Sequence, residues 1–503
     1  MAEEDVRQAL RTDARLVVVE APAGCGKTYQ AAAYAQWWAE HREGRTLILT
    51  HTHAACDVFR EQTSAIRTRT HVTTIDGFVT QIASCYHETL GLPPDVARWA
   101  HDAGEDGFEQ VAYHVERLLL GSSAFRAAVI ARYPNIVCDE HQDTNAAQHQ
   151  IVMLLIEAGA KVRVFGDPSQ AIYAKRVPAR AAHRQRWQTL VERADHVEDL
   201  DFPHRWRRGS MALGEWALLA RRALADGSPV DLRGARPEGL TVIEADNVGH
   251  HAQFRLNREG SRVWRAVDTD QTLMVLSPTS ALVAGINGYL RRTLPIWEGH
   301  RRSSLDALVR ACEASSGNAA ALAVAVRAFI EGTVTGFTSS IAQRFEHEVA
   351  TSAGGRCRGM PLELQTMARL LLDYPDHRGV SRSIRHLKEA LGHCDAMSDI
   401  KINMQREFNE ACRLDEFEGA AAGHAELTRR RTMAKTFMPR RLISTVHKAK
   451  GLEVANVLLM PCDATTFAGS EYKRCLLYVA LTRATNSLTL VVSRERPSPL
   501  FLL

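Results

Sequence analysis

VVVEAPAGCGKTYQAAAYA, residues 17–35, decides the fold. An apolar β-branched run ends in the loop Ala21-Pro22-Ala23-Gly24-Cys25-Gly26. Lys27 and Thr28 then open a helical stretch through Tyr29. Strand, glycine-rich loop and helix in this order form a cradle for phosphates. The loop N–H groups and the helix N-terminus face phosphate oxygens, Lys27 reaches the β and γ groups, and the Thr28 hydroxyl ligates magnesium. The expected ligand is a triphosphate with Mg2+. Ala21 stands where the usual pattern begins with glycine, and Cys25 is expected to be a small neutral spacer.

Outward from this stretch, RLVVVEAP, TLILTHT, HVTTI, NIVCDE and VRVFGD read as strands separated by helical segments. That alternation predicts an α/β fold with a parallel sheet, in which ligands bind beyond the carboxyl ends of the strands. The fourth of these runs ends in Asp139-Glu140. Two carboxylates there divide the work, Asp139 holding magnesium through water and Glu140 orienting and deprotonating an attacking water. A second α/β pattern starts near Val197 and includes LTVIEA and TLMVLSPTSALVAGINGYLRR. Beyond about residue 296 the pattern is helical for more than a hundred residues, and strand-like RLISTV and VANVLLMP then return.

The 503 residues exceed one ordinary core, so two or more domains are expected. A net charge of +4 is small for this length, so nucleic-acid binding has to come from local Arg and Lys clusters. Two such runs are residues 176–187 and 429–441. The ten cysteines are scattered singly, without the paired spacing of zinc or iron–sulfur sites. No apolar run approaches the roughly 20 residues of a spanning helix, and the start MAEEDVRQALRTD is unlike a secretory signal. A soluble cytoplasmic protein is expected.

APAGCGKT, DEHQDTN, GDPSQAIY, TVHKAKGLE and YVALTRA occur in this order from Ala21 onward. Together they resemble the motifs of superfamily 1 UvrD-like helicases. The resemblance implies two RecA-like P-loop domains, each a parallel sheet with flanking helices and a helical insertion. The first would span 1–85 and 131–195 with a small insertion at 86–130. The second would span 196–295 and 436–503 with a larger insertion at 296–435. It further implies ATP hydrolysis with Mg2+, and movement along single-stranded DNA, usually 3′ to 5′.

Carried over by residue, the resemblance makes Gln170 the γ-phosphate sensor and Gln142 its companion. Arg205, in LDFPHRWRR, and Arg483, in YVALTRA, would neutralise charge on the transferring phosphoryl group, an effect worth about 10³ to 10⁵ in rate. Glu453 would contact the nucleotide sugar, Gly451 would belong to the nucleotide site, and Gln8 would lie at the adenine. His51, Thr52, Asp76, Phe78, Tyr173, Lys175, Arg176, Thr445 and His447 would line the nucleic-acid path.

The chain departs from the family where bases usually stack. His51 and Lys175 occupy positions the family gives to Phe and Trp, leaving Tyr173 as the retained ring. The Asn-Tyr before the nucleotide arginine is Pro203-His204. Each base-on-aromatic stack contributes about 1–3 kcal/mol, so a groove that follows the phosphate backbone is expected instead. No appended nuclease is expected after Arg483. The compact form resembles the helicase-like subunit of the Gabija antiphage system, which implies a partner nuclease of the overcoming-lysogenisation-defect (OLD) family. The competing expectation is a DNA-end- or nucleotide-sensing regulatory ATPase subunit with little unwinding of its own.

Overall fold

In the computed structural model, residues 2–174, 176–249, 254–257, 259–297, 302–433 and 438–503 are described. Two compact units emerge, Met1–Thr279 with Ala449–Leu503, and Ser280–Lys448.

The first unit holds a six-stranded sheet of β1 (Leu16–Glu20), β2 (Thr46–Thr50), β3 (Thr70–Thr74), β4 (Asn135–Cys138), β5 (Lys161–Gly166) and β6 (His196–Asp199). Its spatial order is β3-β2-β4-β5-β1-β6, and every pairing is parallel. Both faces are covered, which explains why the strands read as continuous apolar runs. Leu16 and Val18 pack into one cluster with Leu47, Ile136 and Val164. Val17 and Val19 turn to the other face, against Ile48, Val137 and Phe165. This is the alternation that a period of two demands.

Because all six strands run the same way, their carboxyl ends share one rim. The loop after β1, the Asp139-Glu140 pair after β4 and Asp167 after β5 are therefore neighbours by topology. The strand His196–Asp199 belongs to this sheet, although the sequence expectation starts the second α/β region at 196. Its residues alternate between half-buried and exposed, as on a sheet edge, so no apolar run announces it.

The helices expected as a small insertion, including Val96–Asp102 and Gly107–Gly121, share a core with the sheet. Val96, Ala100, Val111 and Val115 lie in the same buried cluster as Leu16 and Val18. A second set of parallel strands in this unit runs Leu240–Glu244, Ala484–Val492, Val454–Cys462 and Leu273–Ser277 as successive neighbours.

The second unit is mainly helical. Ser303–Ala314, Ala319–Thr333, Ser339–Ala350, Met360–Asp373 and His377–Ala390 bury Leu305, Val326, Phe329, Phe345 and Leu387 against one another. Val334–Thr335 and Lys401–Ile402 form a short antiparallel ribbon. Among the described residues, no helix is long and apolar enough to cross a membrane.

Candidate nucleotide site

The loop after β1 turns on two glycines in the left-handed region, Gly24 at φ 77° and Gly26 at φ 87°. A β-carbon on Gly24 would lie 2.7 Å from both Arg205 Cβ and Trp206 Cζ3, so the loop needs glycine for space as well as for φ. Gly26 caps the helix Lys27–His41 and has no side chain to offer its first N–H groups. Those donors are the ones that receive phosphate oxygens in such loops.

Ala21, Ala23 and Cys25 are buried beneath the loop, Thr28 is half-buried on the first helical turn, and Tyr29 is exposed. Burial pushes the Cys25 thiol up to about 12, so it stays a neutral spacer. The Ala23 N–H donates to Tyr478 Oη at 2.9 Å.

Lys27 is buried, with Nζ donating to Ala21 O at 3.1 Å and lying 3.2 Å from Glu140 Oε1. Burial by itself would raise the Glu140 carboxyl. The Lys27 and Lys450 ammonium groups and a hydrogen bond from Gln142 outweigh it and hold Glu140 ionised. Asp139 goes the other way, raised by burial and then by the Glu140 charge. Its Oδ1 is buried and has no hydrogen-bond partner among the described residues. An orphaned buried carboxylate oxygen that feels the Lys27 and Glu140 charges fits a divalent cation, whose charge would reverse the shift.

Asp167 joins the two glutamines. Its N–H donates to Gln142 Oε1 at 3.0 Å, and its Oδ2 accepts the Gln170 amide at 2.9 Å. Both glutamines are buried. The Gln170 carbonyl accepts from Lys450 Nζ at 2.8 Å, and the same ammonium holds the Asp143 carboxylate at 2.6 and 2.7 Å.

Arg205 pairs with Glu453 at 2.6 Å and donates to Thr482 O at 2.7 Å, while its Nε is buried without a hydrogen-bond partner among the described residues. Arg483 is buried and is held by the Val479 and Leu452 carbonyls at 2.9 and 3.1 Å. Burial first, and then Arg205, pull its guanidinium down to about 9. A buried guanidinium beside a partly buried one, with one half-exposed glutamate paired to the latter, forms an environment that an anion would stabilise. Gly451, at φ 83°, makes the turn that leads into Glu453.

UvrD-like helicase families match two parts of this chain. The UvrD/REP helicase N-terminal domain model covers residues 100–179. The UvrD-like helicase C-terminal domain model covers residues 442–491. Over 450 residues the chain is 23% identical to DNA helicase II of Escherichia coli (strain K12), covering 78% of this chain. The match spans 60% of that relative's own length. These matches support the superfamily 1 UvrD-like class, and the two parallel α/β sheets agree with its paired RecA-like architecture.

The remaining expected residues differ in exposure and in partners. Gln8 is exposed, because the helix Ala2–Arg11 turns Val6, Ala9 and Leu10 inward. Glu3 of that helix instead pairs with His204, whose ring lies against Gly26. Phe78 is 4% exposed and belongs to the core, where it meets Tyr133 edge-on. Ile75, Phe78, Val79 and Ile82 form the apolar stripe of one helix, so in this conformation no base can stack on the Phe78 ring.

Thr52 spends its hydroxyl oxygen capping the next helix, accepting from Ala55 N–H at 3.1 Å. Burial pushes the His51 imidazole down to about 4, leaving it neutral near pH 7. Asp76 accepts from Gln148 at 2.7 Å. Tyr173 is 54% exposed, with the Lys450 ammonium 5.1 Å from its ring centre. Arg176 is exposed at the start of the helix Val177–Glu192. Lys175 lies outside the described residues, as does part of the basic run 429–441.

Thr445 and His447 belong to the second unit, where Thr445 Oγ1 accepts from Lys448 N–H at 3.3 Å. In the basic run 176–187, Arg180 is buried and tied to Glu471 at 3.2 Å, so this arginine has a packing role.

Sequence reasoning missed Tyr478, Asp167 and Lys450 as members of the site. All three lie inside motifs it quoted, so position was legible and contact was not. Arg221, on the helix Met211–Ala225, had no signal at all.

Proposed function

We propose that the chain is an ATP-dependent DNA translocase and helicase of the UvrD-like superfamily 1 type, moving 3′ to 5′ on single-stranded DNA. The observation that carries this is the convergence of Lys27, Asp139, Glu140, Gln142 and Gln170 on one sheet rim, with the buried Arg483 and the partly buried Arg205 in the same unit.

Lys27 now neutralises Glu140 at 3.2 Å. A triphosphate in the loop would draw Lys27 to its β and γ oxygens and leave Glu140 ionised and free to orient water. Thr28 and Asp139 would hold a magnesium ion, which supplies charge neutralisation across the phosphates. Gln170 would read the γ-phosphate, while Arg205 and Arg483 would meet the charge that develops on transfer. Loss of that phosphate would remove their shared anion and loosen the segments that carry them. Residues 1–195 and 196–503, each with its helical insertion, would form the two halves of the motor.

We place the activity in DNA repair or antiphage defence, with an OLD-family nuclease as partner, as the motif resemblance suggests. A partner-controlling ATPase with little unwinding of its own is the second reading. It is favoured by the burial of Phe78, which leaves Tyr173 as the exposed ring among the described candidates.

Strand displacement from duplexes with a 3′ or a 5′ single-stranded tail separates the two. ATP-dependent unwinding of the 3′-tailed substrate supports the motor. Hydrolysis without displacement from either substrate contradicts the helicase assignment and favours the regulator.

A further inference from the structure

Asp167 is fully buried at the end of β5, and both glutamines of the site depend on it. Its Oδ2 serves Gln170. Its Oδ1 accepts the Ser169 N–H at 3.1 Å and Arg221 Nε and Nη2 at 3.2 and 3.0 Å. The same guanidinium reaches Glu20 Oε1 at 2.6 Å, one residue before the phosphate loop begins. Arg221 therefore touches the ends of two of the three strands that lead into the site, β1 and β5.

Arg221 sits on the helix Met211–Ala225, which follows the Arg205 segment directly and begins at the Ser210 cap. Any shift of the Arg205 segment would be passed to this helix through the one short turn between them, and a fork-shaped cation transmits direction as well as charge. Asp167 can turn its carboxylate only if Arg221 lets go of Oδ1. The Gln170 amide is thus aimed by a group on another element.

We propose that Arg221 is a positioning residue for γ-phosphate sensing. It locks Asp167 so that Gln170 and Gln142 hold their orientation, and it couples that orientation to the segment bearing Arg205. The proposal rests on the ATP-hydrolysing reading above. Buried ion pairs often contribute little net stability, so fixing a geometry is a better account of this one than adding free energy.

The test uses the full chain with Arg221→Gln and Arg221→Lys. Affinities for ADP and for a slowly hydrolysed ATP analogue are measured beside kcat, KM and the thermal midpoint. For Arg221→Gln, ADP affinity should stay within about twofold, preference for the triphosphate analogue should vanish, and kcat should fall about 10- to 100-fold. Arg221→Lys keeps the charge but cannot fork, so an intermediate kcat at unchanged ADP affinity is expected.

Wild-type triphosphate preference and kcat in either variant, even with a lowered midpoint, would reduce Arg221 to a structural staple and overturn the proposal. If Arg221→Gln fails to fold, the lysine variant decides alone. Wild-type protein that binds both nucleotides without turnover contradicts the hydrolase reading, and its triphosphate preference still decides Arg221. Binding of neither nucleotide overturns both.

Discussion

Lys27 is the residue whose loss has the plainest consequence. It is buried between the Ala21 carbonyl and Glu140, at the start of the helix that the loop feeds. Lys27→Ala should abolish ATP turnover while the folded structure persists, read by steady-state hydrolysis and circular dichroism; wild-type turnover would remove the phosphate-loop assignment. Gly24 gives a second test at this scale. A side chain there meets a left-handed φ, a strain of about 1–2 kcal/mol, and a 2.7 Å approach to Arg205 and Trp206. Gly24→Ala should weaken nucleotide affinity through loop displacement, measured by titration with a fluorescent ADP. These positions were legible because loop chemistry is local: the types and spacing of residues 21–28 are the mechanism. Arg221 was not, because its partners lie 54 and 201 residues away along the chain.

The element scale shows where pattern and contact part. The helix Ile75–Cys85 carries its apolar residues at spacings of three and four, and that periodicity buries Phe78. The resemblance placed this residue on the nucleic-acid path, whereas its own helical phase already argued for core. Phe78→Ala should therefore cost about 3–5 kcal/mol of stability and leave single-strand affinity unchanged. Lost DNA binding with an unshifted thermal midpoint would show that the ring reaches bases. Tyr173 is the converse case, an exposed ring just after the Gln170 segment. Tyr173→Ala should weaken single-strand binding by about 1–3 kcal/mol with stability nearly unchanged. The strands of the first sheet were readable as buried apolar runs. The edge strand His196–Asp199 was not, since half its residues face water.

At the scale of the whole molecule, topology accounts for the site. Six parallel strands bring their carboxyl ends to one rim, and the segments that follow β1, β4 and β5 deliver a phosphate loop, two carboxylates and a sensor hub. The motif order in the sequence carried that architecture. The division into units at Ser280 and Lys448 depends on packing that no local pattern encodes. A net charge of only +4 means that the molecule as a whole attracts nucleic acid weakly, so binding rests on a local groove. The most direct test of the central claim is ATP turnover by the purified chain, alone and with single-stranded DNA or blunt duplex. The account predicts turnover strongly stimulated by single strands and little changed by blunt duplex. Turnover indifferent to single-stranded DNA that the protein still binds would contradict the motor.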